Sequence, residues 1–137
     1  MAVLVDTGPI VALLDRRERF HEQCVEALLG ANEPLVTCET VIAEACFLLR
    51  RLKGASRDLL VDVQAGRYQI DYRVAERGLQ LGRLLDRYAN VPMDLADACL
   101  VDLANLHKTG RIFTLDADFR IYRWGKSQPF ELLIDLD

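Results

Sequence analysis

Ala2-Val3-Leu4-Val5 is a run of four apolar residues closed by an acid, Asp6. It is too short for a helix, and as a strand it would leave neither face polar. A strand of this kind belongs in a sheet buried on both sides, which means a parallel sheet covered by helices. The remainder of the chain supplies the helices. The spacing of apolar residues predicts a helix from Thr7, with Thr7 as its cap and Pro9 in its first turn. Further helices are predicted over Glu18–Leu29, ended by Gly30, over Thr40–Lys53, stopped by Gly54, and from Ser56 to about Ala65. Ala75–Tyr88 and Leu95–Lys108 read as two more, the second closed by Gly110. Leu35–Thr37, Tyr68–Tyr72, Arg111–Leu115 and Glu131–Ile134 read as strands, with a short helix near Phe119–Arg123. Strands separated by helices imply right-handed crossovers and a parallel sheet with helices on both faces.

The 137 residues suffice for one domain with one core, so residues 1–137 are expected to form a single unit. Half of them are hydrophobic and 28% charged, a globular composition and not a disordered one. The N-terminus lacks the basic stretch and long apolar core of a signal peptide, and no apolar run approaches a membrane span. A cytoplasmic protein without membrane attachment is the expectation. Cys24, Cys38, Cys46 and Cys99 form no Cys-x-x-Cys pair, and His21 and His107 add no zinc spacing. They read as reduced, small hydrophobes.

Four acids fall where acids are unusual. Asp6 and Asp116 each follow a strand directly, and ligands of open parallel sheets bind at the carboxyl ends of the strands. Capping of the next helix explains either acid alone equally well. Glu44 is flanked by Val41, Ile42, Ala43, Ala45, Cys46 and Phe47, with no other charge between Glu39 and Arg50. Buried without a partner it would be costly, so it wants a cation. Asp97 follows Asp94 by three residues. Asp94 is the natural N-cap, which leaves Asp97 only the helix dipole, worth ~0.3–1 kcal/mol, as a structural reason to be there. Clustered carboxylates raise one another's pKa values or recruit hard cations, and an all-oxygen site suits Mg²⁺ or Mn²⁺. Such a site serves phosphodiester hydrolysis.

In Val3-Leu4-Val5-Asp6-Thr7-Gly8-Pro9, Ala43-Glu44-Ala45, Asp97-Ala98-Cys99-Leu100 and Thr114-Leu115-Asp116-Ala117-Asp118-Phe119 the chain resembles PIN-domain nucleases, and among them the VapC-type toxins. The resemblance spans nearly the whole chain. It implies a three-layer α/β/α sandwich and a Mg²⁺- or Mn²⁺-dependent endoribonuclease leaving 5′-phosphate and 3′-hydroxyl ends. It implies an RNA substrate, an inhibitory antitoxin and a homodimer. The family's acidic quartet carries over onto Asp6, Glu44, Asp97 and Asp116, with the three aspartates as metal ligands and Glu44 as a ligand or orienter of water. Thr114 matches the family's hydroxyl two residues before the last acid, and Thr7 is placed for similar work. Asp94 and Asp118 are supporting acids of open role, and Asp102 reads as helix surface.

A net charge of −4 argues mildly against a nucleic-acid binder, an objection that weakens if the acids hold cations. Arg50, Arg51, Lys53 and Arg57 form a basic run and are the RNA-binding candidates. Arg16, Arg17 and Arg19 form a second cluster. Arg120, Arg123 and Lys126 form a third, with Tyr122 and Trp124 as stacking groups. Solvated helix faces and buried aromatics are the structural alternatives. A haloacid-dehalogenase-like phosphatase also opens with strand-Asp but needs a second Asp two residues on, where this chain has Gly8. A receiver domain needs adjacent acids there. A catalytically silent PIN scaffold that binds a partner is the non-enzymatic alternative.

Overall fold

The computed structural model describes residues 1–137. The elements run β1 (Val3–Val5), α1 (Thr7–Leu14), α2 (His21–Leu29), β2 (Leu35–Val36), α3 (Glu39–Leu48), α4 (Ala55–Gln64), a 3₁₀ turn (Val74–Glu76), α5 (Gly78–Arg87), α6 (Leu95–His107) and β3 (Arg111–Phe113). A second 3₁₀ turn (Ala117–Arg120), β4 (Arg123–Trp124), β5 (Gln128–Pro129) and β6 (Glu131–Leu132) follow. β2, β1, β3 and β6 form a parallel sheet in that order, flanked by helices, and β4 pairs with β5 as a small antiparallel hairpin. All three residues of β1 are fully buried, as a strand covered on both faces requires. One cluster of 35 buried apolar residues runs through the molecule. No helix is long and apolar enough to cross a membrane.

This strand order creates the place where a ligand can bind. From β1 the chain crosses to β2 on one side, then back over the sheet to β3 on the other. The loops leaving β1 and β3 therefore diverge, and the crevice between them lies at the carboxyl ends of the two strands. Asp6 and Asp116 sit in those loops. The two strands are in register there, the Asp6 amide donating to the Phe113 carbonyl at 2.9 Å.

Several boundaries differ from the sequence expectation, each for a local reason. Thr7 does not cap α1; Asp6 does, its Oδ1 accepting from the Thr7 amide at 2.7 Å. α3 stops at Leu48, although apolar spacing continues to Leu52, because Leu52 packs on the core from an irregular turn. Burial, not helix, set that periodicity. α2 begins only at His21, and the basic cluster Arg16, Arg17 and Arg19 occupies the turn before it. Gly54, in the left-handed region at φ 79°, opens α4 in place of Ser56. Ser56 instead donates its hydroxyl to the Cys46 carbonyl and ties α4 to α3. Tyr68 and Tyr72 are buried as alternation suggests, yet only Gln69 pairs with the sheet, against Val36. α6 is closed by Lys108 at φ 54°, not by Gly110. Gly110 is small for another reason: a Cβ there would run into the Trp124 indole.

Asp102 is the largest correction. It is 2% exposed and not helix surface. Arg77 forms a bidentate pair with it at 2.8 and 2.9 Å, and the Tyr72 hydroxyl donates to it at 2.6 Å. The predicted helix over Ala75–Tyr88 is broken at Arg77, the residue that makes this pair. Every residue from Ala96 to Ala104 is buried, so this stretch of α6 is covered on all sides and an acid within it needs a partner.

Candidate active site

The four candidate acids reach one shallow cleft of about 260 Å³ from four different elements. Asp6 ends β1, Glu44 lies in the middle of α3, Asp97 is in the first turn of α6 and Asp116 follows β3. One carboxylate oxygen from each of Asp6, Asp97 and Asp116 lies within 4.8 Å of the others. Glu44 lines the same cleft without joining that trio. Gly8 permits the convergence: a Cβ there would stand 3.2 Å from Cβ of Leu115, so the small residue lets the first turn of α1 rest on the loop that carries Asp116.

Neighbouring groups hold the trio in place. The buried Thr114 hydroxyl donates to Asp6 Oδ2 at 2.7 Å and accepts from the Asp116 amide at 3.0 Å, linking two of the acids. Asp116 Oδ1 accepts from the Asp118 amide at 2.9 Å, so Asp118 contributes its backbone here. Asp94 caps α6 through the Asp97 amide at 2.8 Å and lines the cleft as well. Capping and site membership are thus compatible for Asp6, Asp94 and Asp116.

Tyr122, for which the sequence left a stacking group and a buried aromatic as alternatives, is fully buried, and its hydroxyl donates to Asp97 Oδ2 at 3.0 Å. Edge contacts with Tyr88 and Phe119, at 5.0 Å each, fix the ring. This partner of Asp97 escapes sequence reasoning because nothing in the spacing of residues 97 and 122 signals contact. An acid as buried as Asp97 demands a donor, however, and that demand is the one available signal.

Burial is the largest influence on Asp6, whose pKa is raised to about 6. Hydrogen bonds from Thr114 and the Thr7 amide oppose the rise, while the charges of Asp116 and Glu44 add to it. Asp97 is raised to about 7, again chiefly by burial, then by Asp94 and Asp6. Acids that resist ionisation together are acids that a cation would stabilise. The Thr7 hydroxyl adds an independent sign. It is buried, lines the cleft and has no hydrogen-bond partner in the protein. Three converging carboxylates beside an unpartnered hydroxyl fit a hydrated hard cation, with Asp6, Asp97 and Asp116 as the residues that would hold it.

The Thr114 bridge carries a prediction. Partners that orient ligating carboxylates typically cost about 10–100-fold in metal affinity or activity when removed. Thr114→Val keeps the shape and loses both hydrogen bonds. Titration of Mn²⁺ by isothermal calorimetry should show affinity weakened in that range, and unchanged affinity would remove Thr114 from the site's support.

None of the basic candidates lines the acid cleft. Arg50, Arg51, Lys53 and Arg57 are exposed beyond the end of α3, with Arg50 stacked on Phe47 and Arg57 3.5 Å from Asp58. Arg120 pairs with Asp137, and Arg123 donates to the carbonyls of Arg120, Ile121 and Tyr122.

A model of the PIN domain matches residues 3–125. The chain belongs to the PIN-domain family. Ribonuclease VapC26 of Mycobacterium tuberculosis is 28% identical over 116 residues, covering 83% of this PIN chain and 86% of that protein. The crystal structure of VapC20 of Mycobacterium tuberculosis, a sarcin–ricin loop cleaving toxin, superposes with a TM-score of 0.80 at 19% identity, over 93% of this chain and 99% of that one. VapBC2 from Rickettsia felis, crystallised with a fragment of promoter DNA, gives 0.64 at 16% identity over 96% and 98%. Both structures share the PIN fold seen here, a parallel sheet flanked by helices.

Proposed function

We propose that this PIN-domain protein is an endoribonuclease of the VapC type, the toxin of a toxin–antitoxin pair, working with Mg²⁺ or Mn²⁺ as a single unit over residues 1–137. The observation that carries the reading is the convergence of Asp6, Asp97 and Asp116 to within 4.8 Å in an open cleft. Membership of the PIN family and 28% identity to a curated ribonuclease support it. A bound divalent cation supplies Lewis-acid stabilisation of phosphodiester charge and lowers the pKa of water.

The chain's own residues do the positioning. Asp6 and Asp116 are held against each other by Thr114, and Tyr122 fixes the orientation of Asp97. Glu44, half-buried and across the cleft from no basic group, would accept a proton from an attacking water. The products are 5′-phosphate and 3′-hydroxyl ends.

A cytoplasmic nuclease of this kind needs an inhibitor. Phe47 and Leu48 on α3, and Leu60 and Val61 on α4, are each more than half exposed. They offer the apolar anchors that an antitoxin, or a second copy in a homodimer, would cover.

Incubation of purified protein with RNA should give cleavage in Mg²⁺ or Mn²⁺ and none in excess EDTA. Expression of the chain alone should arrest growth, and Asp6→Asn should relieve the arrest. Full cleavage in EDTA would overturn the metal mechanism, and unimpaired growth with abundant active protein would overturn the toxin assignment.

A further inference from the structure

A second, larger groove of about 790 Å³ lies between α5, the last turn of α6 and the β4–β5 hairpin. Its lining is unlike the rest of an acidic protein. Arg83, Arg87, Lys108 and Lys126 face it, are exposed and take part in no salt bridge. Arg77 also lines it, paired with Asp102, which is the one carboxylate there. Five cations against one acid, in a chain of net charge −4, concentrate positive potential in one place.

The groove and the acids share helix α6. Asp97 and Asn105 lie on α6 about 12 Å apart along its axis, with Asn105 in the groove. At its other border Arg87 precedes Tyr88, whose ring meets that of Tyr122, the residue bonded to Asp97.

We infer that this groove binds the single-stranded RNA backbone flanking the cleavage point, an inference that rests on the nuclease reading. Unpaired cations match phosphates, and Trp124, half-buried in the groove lining, is an aromatic of the kind on which bases stack. A protein partner fits poorly, because only two of the twelve lining residues are hydrophobic and protein interfaces need buried apolar anchors. The groove lies apart from the basic run over residues 50–57, which borders neither it nor the acid cleft.

The test combines Arg83→Gln, Arg87→Gln and Lys126→Gln, all exposed positions, in the full chain. Fluorescence anisotropy with labelled oligouridylate in EDTA reads binding without cleavage. The triple variant should bind at least about tenfold more weakly, and its log K against log salt slope should flatten by about 2, at ~0.7 per lost contact with a single strand. If the triple variant misfolds by near-ultraviolet circular dichroism, the three single variants should each flatten the slope by about a third of that amount. In Mn²⁺, cleavage of long RNA should slow while cleavage of a uridine dinucleotide, too short to reach the groove, is unchanged. Wild-type affinity and slope in the variants would overturn the inference. Retained RNA binding with lost binding of polyglutamate would overturn it in favour of an acidic protein. Groove-dependent binding by a wild-type chain that cleaves neither substrate would support the groove and sink the nuclease reading.

Discussion

Asp97→Asn should lower the rate of metal-dependent RNA cleavage by about a thousandfold, and Asp116→Asn by a similar factor, corresponding to the several kcal/mol that a correctly held cation contributes to a transition state. The geometry makes these substitutions informative. A carboxamide at position 97 keeps a carbonyl oxygen for the Tyr122 hydroxyl, which lies 3.0 Å from Asp97 Oδ2, so the local packing survives while one charge leaves the trio. Asp116 is half-buried, and its Oδ1 accepts from the Asp118 amide, a bond that an amide oxygen also satisfies. Circular dichroism should therefore be unaltered while initial rates, measured at saturating Mn²⁺, collapse. Rates within about tenfold of wild type for both variants, less than 1.4 kcal/mol or so, would mean that the convergence of these acids serves folding or capping only. Glu44→Gln separates the two roles open to that residue. Loss of rate at unchanged Mn²⁺ affinity makes it the group that handles water, whereas loss of both makes it a ligand.

The metal-free protein should lose stability as pH rises from about 5 to about 8, the reverse of the usual behaviour of paired acids. Asp6 and Asp97 have pKa values raised to about 6 and about 7 by burial and by neighbouring acids, against an unfolded value of about 3.9. Between those limits the folded state holds more protons than the unfolded one, so stability falls with increasing pH. It is fully present below about pH 4 and is lost as pH passes through the folded values. For Asp97 the loss is on the order of 4 kcal/mol, and the two acids do not simply add because the charge of Asp6 contributes to the rise at Asp97. Asp97→Asn removes one of the repelling charges and should melt several degrees higher than wild type at about pH 8, with the gap closing near about pH 5. Mg²⁺ or Mn²⁺ at the higher pH should reverse the order, stabilising wild type by about 3 kcal/mol at roughly a hundredfold excess over its dissociation constant and the variant by less. Scanning calorimetry in EDTA and in metal checks both halves. A flat profile across that pH range, or a variant that is the less stable in EDTA at its upper end, would show that the acids do not repel in the folded protein.

These predictions concern residues that are readable before any fold is known, and the reason is that their signal is local. An acid closing an apolar run, as at Asp6 and Asp116, or standing alone in an apolar helix, as at Glu44, is visible within a window of a few residues. The parallel sheet is legible for the same reason: β1 has no polar face, and that alone requires cover on both sides. The β4–β5 hairpin is not legible, because it rests on left-handed conformations at Gly125 and Ser127, and the second belongs to a residue type that does not announce them. Asp102 shows how far local reasoning extends. The argument applied to Glu44, an acid amid apolar neighbours, applies with more force at Asp102, whose partners Arg77 and Tyr72 lie 25 and 30 residues away.

Sequence by itself therefore determined the fold class and which acids are out of place. Tertiary structure decided which side chains meet. Only the reversal of strand order between β1 and β3 brings Asp6 and Asp116 together, and only packing of α6 against the segment after β3 gives Asp97 its Tyr122. Only the approach of α5, α6 and the hairpin gathers Arg83, Arg87, Lys108 and Lys126 into one groove. The physical reason is range. Propensity, capping and burial period act over a few residues, whereas a hydrogen bond or a charge cluster depends on distances that the crossovers of the chain set.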